Sequence, residues 1–299
     1  ALLKIGDAQR ESAEKNGWGF VDFNRPMREI SVREQEKDST FTFCRIDRIH
    51  PDNDGQMVMA YLFLKAQGLA GKEVAECSID AHALKVAARK NCRISRLKKK
   101  EGEITFNYLA GALPYPLDSV PRHGWGDKKS QRDAMRLVPF MEEFNQERFQ
   151  VIRLEEGIYR LSIDGRFIGD FSSRQLADGI NLADYPATPQ YQQAVKVMYL
   201  NEERFEMEKR FREYMWTEYS FLKKEGLLFS DNQEAIEKLR EYLPKDVFLR
   251  ASYDWYVKAM HPEIRKVWGK YMDDIVRAIY KISKPVTRKV KLVKTGREP

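Results

Sequence analysis

The sequence predicts a mixed α/β protein in three stretches: the closing corner of an open α/β layer over residues 1–72, a β-rich accessory region over 73–188, and a helical region over 189–299 that ends in a basic tail. Three observations predict this. Residues 1–70 read as helix, buried apolar run, polar loop and helix, the order met at the edge of an open sheet. The middle of the chain alternates apolar and polar residues between turn signals. From Pro189 onward apolar residues recur at helical spacing beneath mixed charge.

The elements follow in order. Residues 2–15 read as a helix, and 20–23 as a short buried strand that stops at Asn24 and Pro26. A helix from about Gln56 carries Met57, Ala60, Tyr61 and Leu64 on one face and ends near Gly68 and Gly71. Residues 74–80, 91–97 and 103–109 read as strands, with a hairpin-like turn over 98–102. The run Leu113-Pro114-Tyr115-Pro116 breaks regularity, 118–135 is a polar loop with His123 and Trp125, and 138–148 is a short helix. Residues 149–154 and 158–163 flank Glu155-Glu156-Gly157, which reads as a hairpin, and Asp164-Gly165 is a stronger hairpin signal before 167–171. Ser172 and Ser173 sit where helix caps belong. Then come a long helix over 190–224 and shorter helices near 231–242 and 244–283, with Pro244 and Pro262 as boundaries. Tyr214, Trp216, Tyr219 and Phe221 fall at spacings that read as helix core rather than as a sugar platform.

The most informative stretch is 43–69, FCRIDRIHPDNDGQMVMAYLFLKAQGL. It holds Asp47 and His50 three residues apart, just before Pro51 and a helix. An imidazole that takes a proton from a hydroxyl needs a carboxylate to fix its tautomer and steady the imidazolium, and one tight loop can present both. Asp47 as acid and His50 as base are therefore the candidate site residues. No serine in the sequence offers itself as their nucleophile. Cys44, three residues before Asp47, could pair with His50 but reads as a packing thiol.

These runs, with NGWGFVDFNRPM at 16–27 and YRLSIDGRFIGDFSSRQLADGINLA at 159–183, resemble the Ser-Gly-Asn-His hydrolases, also called GDSL-type esterases, and within them a bacterial branch with a C-terminal extension. The resemblance covers about residues 1–200 and is most specific at the Asp-x-x-His-Pro block. It implies a flavodoxin-like SGNH three-layer α/β/α sandwich, of which this chain holds the terminal corner. It implies Ser-His-Asp acyl transfer on an ester, with acylated carbohydrate as the preferred substrate class, no metal or cofactor, and a periplasmic or secreted setting. Asp47 and His50 map onto the family's acid and base. The family's nucleophile and oxyanion blocks precede that block, and here they are not found. Gly6-Asp7-Ala8 has alanine where the serine belongs, and Gly179-Ile180-Asn181 falls after the histidine. A lone parallel strand would leave its backbone N–H and C=O groups unpaired. The chain is therefore expected to be the C-terminal portion of a longer esterase, with the serine on an upstream segment or a second chain. The competing reading is a non-catalytic glycan-binding or protein-interaction module.

Composition bounds the rest. With 42% hydrophobic and 32% charged residues over 299, the chain has the balance of a globular protein. No apolar run is long enough for a membrane span. Cys44, Cys77 and Cys92 fit neither a zinc pattern nor a disulfide framework. The net charge of +7 is local: residues 85–100 hold eight Lys/Arg and no acid, residues 284–299 hold six basic residues and one acid, and the remainder is acidic. No helix-turn-helix, zinc finger or aromatic RNA platform accompanies either island, which points away from nucleic acid. The first island is expected to be a solvated hairpin edge and the second a frayed tail.

Overall fold

The computed structural model describes residues 2–44, 48–118 and 129–296. It is mixed α/β, with two sheets and a long helical region toward the C-terminus. The chain forms two compact units, residues 1–192 with 285–299, and residues 193–284.

The first unit begins with three helices, α1 (Leu2–Asn16), α2 (Asn24–Gln35) and α3 (Asn53–Ala66). The expected strand at 20–23 is not formed. A strand is stable only against a neighbour, and among the described residues none pairs with it. Asn24 and Pro26, expected to end that strand, instead lie in the first turn of α2, where a missing N–H costs no hydrogen bond. The helix α3 starts three residues ahead of its expected start at Gln56, because the side chain of Asp52 accepts from Asn53 N and caps it. Of its expected apolar face, Met57 and Tyr61 are buried and Leu64 is half-buried, while Ala60 is exposed and Val58 is buried in its stead; these side chains pack with Ile30, Phe41, Phe43, Leu137 and Phe140 in one cluster.

Two sheets follow. One has β1 (Ala75–Asp80), β2 (Lys85–Lys90), β5 (Glu147–Ile152) and the two-residue β8 (Ile180–Asn181) in the order β2-β1-β5-β8, with β1 and β5 parallel. The other has β3 (Cys92–Lys100), β4 (Glu103–Ala110), β6 (Ile158–Ile163), β7 (Arg166–Ser172) and β9 (Arg288–Gly296) in the order β3-β4-β9-β6-β7, antiparallel throughout. Cys77, Ile79 and Phe149 from the first sheet and Phe106, Leu161, Val290 and Leu292 from the second share one core. The Phe106 and Phe149 rings stack at 6.2 Å.

Both sheets correct the sequence reading. The strand β2, inside the basic island, was hidden because its residues are exposed or half-buried and show no apolar alternation. Residues 155–157 do not close a hairpin: β5 and β6 lie in different sheets, and this turn carries the chain between them. The stretch 138–148 divides into a short helix α4 (Phe140–Phe144) and the start of β5. The largest correction is the tail. Residues expected to fray form β9, hydrogen-bonded between β4 and β6, with Val290 and Leu292 fully buried. Alternation explains it: in RKVKLVKTG, Lys289 and Lys291 face outward while Val290 and Leu292 face the core. The Asp164-Gly165 hairpin forms as expected, with φ of 51° and 78° at the two turn residues, the positive pair for which Asp-Gly is favoured. Ser172 caps α5 (Ser173–Asp178), its hydroxyl accepting from Gln175 N at 3.1 Å.

One acid lies deep in this unit. Glu147, at the start of β5, is fully buried. Its Oε1 accepts from Tyr108 Oη at 3.0 Å and from Gln190 Nε2 at 2.9 Å, while Oε2 has no hydrogen-bond partner. Burial pushes its carboxyl up to about 7, against the pull of those two bonds and of the Arg288 charge.

The second unit holds the rest of α6 (Pro189–Ser220), then α7 (Gln233–Tyr242), α8 (Val247–Ala259) and α9 (Pro262–Ile282). The last helix ends at Ile282, within one residue of its expected end. Asn232 and Asp246 cap α7 and α8, and Pro262 opens α9. Tyr214, Leu239, Leu249, Tyr256 and Trp268 form the core. Tyr214 is core as expected, whereas Tyr219 is 50% exposed. Among the described residues no helix is long and apolar enough to cross a membrane.

Candidate active site

The stretch singled out in the sequence is built outward from a hydrophobic foot. Phe41 and Phe43 are buried against each other with ring centroids 5.3 Å apart. Immediately after them, Cys44 pairs with Pro51 in an isolated antiparallel bridge, and Asp52 N donates to Phe43 O at 2.7 Å. Phe43 and Cys44 are thus held against Pro51 and Asp52. Gly55, in the first turn of α3, lets this happen. A Cβ there would stand 3.0 Å from both Phe43 O and Pro51 Cβ.

One lysine clamps the base. Lys129 reaches the buried Asp54 carboxylate at 3.0 Å as an ion pair, donates to Thr42 O, and lies 4.7 Å from the centroid of the Phe41 ring. Its backbone joins in: Lys129 O accepts from Asn53 Nδ2 at 2.9 Å, and Lys129 N donates to Asp52 Oδ2 at 3.4 Å. Asp54 is inaccessible to solvent. Burial raises its carboxyl above the usual carboxylate range, against the Lys129 ammonium and the Gly55 N–H, which favour the charge.

From that base the chain projects polar residues outward. Arg48 holds a left-handed backbone with φ 56°, Ile49 is 73% exposed, and His50 is exposed beside it. The structure thus places His50 at the surface, two residues before Asp52, the cap of α3. Asp47, the expected acid, lies outside the described residues, as do His123 and Trp125.

Sequence reasoning missed Lys129, Asp54 and Asp52. Asp52 was open to discovery, since an aspartate just before an apolar helix is a capping signal. Lys129 carries no local signal, because its partners stand more than seventy residues away. The other serine of interest, Ser172, has its hydroxyl committed to a helix cap. Among the described residues no group of three or more His, Cys, Asp or Glu is placed to hold a metal ion.

The helical unit has its own buried polar cluster. Glu218 is inaccessible and accepts from Phe229 N at 2.6 Å, and burial raises its carboxyl. Nearby, Asp231 accepts from Tyr214 Oη at 3.0 Å and pairs with Arg265 at 3.0 Å. Arg265 also lies 4.8 Å from the Tyr214 ring. These bonds tie α6, the turn before α7, and α9 together.

Two likenesses to known proteins were found. Residues 195–284, nearly the whole second unit, match the family described as the diltiazem deacetylase C-terminal helical domain. The chain is also similar, at 50% sequence identity and a TM-score of 0.93, to a solved structure described as BT4096, a gut microbial diltiazem-metabolizing enzyme. That likeness covers 98% of this chain and 66% of the other protein, so the chain spans just under two thirds of its relative's length. No curated protein matches the chain.

Proposed function

We propose that this chain is part of an ester hydrolase that removes an acetyl or similar acyl group from an alcohol, and that His50 and Asp47 are its base and acid. The observation that carries the reading is the 50% identity over 98% of the chain to a diltiazem-metabolizing enzyme, together with the deacetylase family match of the helical unit. The Asp-x-x-His block adds the chemistry. It resembles the acid–base block of the SGNH hydrolases, whose flavodoxin-like sandwich would use residues 1–72 as its closing corner.

In this reading a serine supplied from outside these residues attacks the ester carbonyl. His50 accepts the serine proton as the C–O bond forms, then hands it to the departing alcohol as the tetrahedral intermediate collapses. Water repeats the cycle on the acyl-enzyme, and acetate leaves. Asp47 orients His50 and steadies its imidazolium. The braced base of the segment supports this role, since a catalytic imidazole must hold its position to a fraction of an ångström.

The test is ester turnover by the longest native form of the protein on diltiazem, 4-nitrophenyl acetate and a peracetylated sugar. His50→Ala should lower kcat by about a million-fold and Asp47→Asn by about ten-thousand-fold. Near-normal turnover by the His50 variant rules out the base assignment. The absence of acyl transfer to all three substrates rules out the esterase reading.

A further inference from the structure

The basic island at 85–100 has no part in the reading above, and the fold gives it a shape. The chain leaves the first sheet with β2 and enters the second with β3, and the outer face of β3 and β4 there lines two adjoining cavities. One, of about 350 Å³, is lined by Arg89, Arg93, Ser95, Asn107 and Thr287 among others. The next, of about 420 Å³, shares Arg93 and Leu109 with it and extends to Asn91 and Pro285. Register explains the grouping. Arg93 pairs with Leu109 and Ser95 with Asn107, so the four side chains share one face of the sheet.

Some of the cations on these strands are paired and some are not. Lys90, Lys291 and Arg160 find acids in Glu73, Glu103 and Asp170. Arg89 and Arg93 pair with no carboxylate among the described residues, and no acid lines either cavity. Two unpaired guanidiniums flanking a concave row of hydroxyl and amide groups form a receptor for oxyanions, because the planar fork matches a carboxylate or sulfate with two parallel hydrogen bonds. Ser95, Asn107 and Thr287 suit the hydroxyls of a sugar. No aromatic side chain lines the groove, so it lacks the stacking platform on which single-stranded nucleic acid is held.

We propose that this groove is a binding site for an acidic polysaccharide, whose sulfate or carboxylate groups dock on Arg89 and Arg93. The site is separate from the His50 segment and does not depend on the esterase reading. Calorimetric titration of the full protein with a heparin octasaccharide and with an octagalacturonate separates the two sources of the anion, and an oligonucleotide of similar charge serves as competitor. At least one oligosaccharide should bind, and Arg89→Gln with Arg93→Gln should weaken it by about tenfold or more. Ser95→Glu, which adds a carboxylate on the same face of β3 as Arg93, should produce a similar loss by an independent route. Lys4→Gln with Lys15→Gln on α1 removes the same charge elsewhere and should leave affinity within about twofold. Circular dichroism should show all variants folded. Failure of both oligosaccharides to bind overturns the proposal. So does an equal loss in the α1 control, or tighter binding of the oligonucleotide.

Discussion

Glu147 offers the sharpest test of the packing around the two sheets. The perturbation is Glu147→Gln, which keeps shape and an acceptor oxygen for Tyr108 and Gln190 while removing the charge. In the folded chain burial lifts the carboxyl from 4.5 to about 7. The folded state therefore holds a proton that the unfolded chain releases near the ordinary value. Below that value both states are protonated and the contribution is fully present; it drains away as pH rises through about 7. At about 1.4 kcal/mol per pH unit, the whole interval amounts to about 3 kcal/mol.

The assay is urea unfolding followed by circular dichroism, for wild type and variant, from about pH 4 to about pH 8.5. Subtracting the two stability curves cancels every other titrating group. The difference, variant minus wild type, should climb by about 3 kcal/mol between the ordinary carboxylate value and about 7, then level off. A flat difference curve, or one that falls with pH, would show that Glu147 is not a buried acid held neutral by its surroundings.

Three further outcomes follow from the structure. Lys129→Met strands the buried Asp54 carboxylate and should cost about 3–5 kcal/mol, while adding Asp54→Asn should restore much of that loss. Because the Asp54 carboxyl already sits above its usual range, the Lys129 variant should lose stability more steeply as pH rises above that range, which the same unfolding series reads directly. Leu292→Ala should cost about 2–5 kcal/mol if β9 is a core strand, whereas a frayed tail would register under about 0.5 kcal/mol in a thermal or urea melt. Gly55→Ala forces a Cβ against Phe43 O and Pro51, so it should destabilise by about 1–3 kcal/mol and lower ester turnover with it.

What the sequence revealed of the fold depended on how local each signal was. The Asp164-Gly165 turn and the Ser172 cap rest on residues within a few positions of one another, and each appears in the structure. The strand β9 was hidden although its alternation is plain, because four cations in nine residues outweighed two buried apolar side chains in the reading. Its partners β4 and β6 lie more than a hundred residues earlier, and only pairing with them shows that Lys289 and Lys291 line the outer face. The strand expected at 20–23 failed for the opposite reason. Its apolar residues suit a strand, but a ladder needs a second backbone, and the described residues provide none there.

The site divides along the same line. Asp47 and His50 stand out in the sequence by their spacing alone, and of the two the structure describes His50, at the surface. The apparatus that would hold it still was not legible, since it consists of an acid inside α3, a lysine far along the chain, and two aromatic rings beneath them. If His50 acts as the base, loosening the clamp should displace the imidazole without removing it. A displaced base slows proton transfer more than it weakens binding. Lys129→Met should therefore lower kcat by about a hundred-fold at conditions where the fold persists, with KM little changed. Equal turnover in that variant would mean that the clamp serves only the fold, and that His50 is held by whatever surface completes the site.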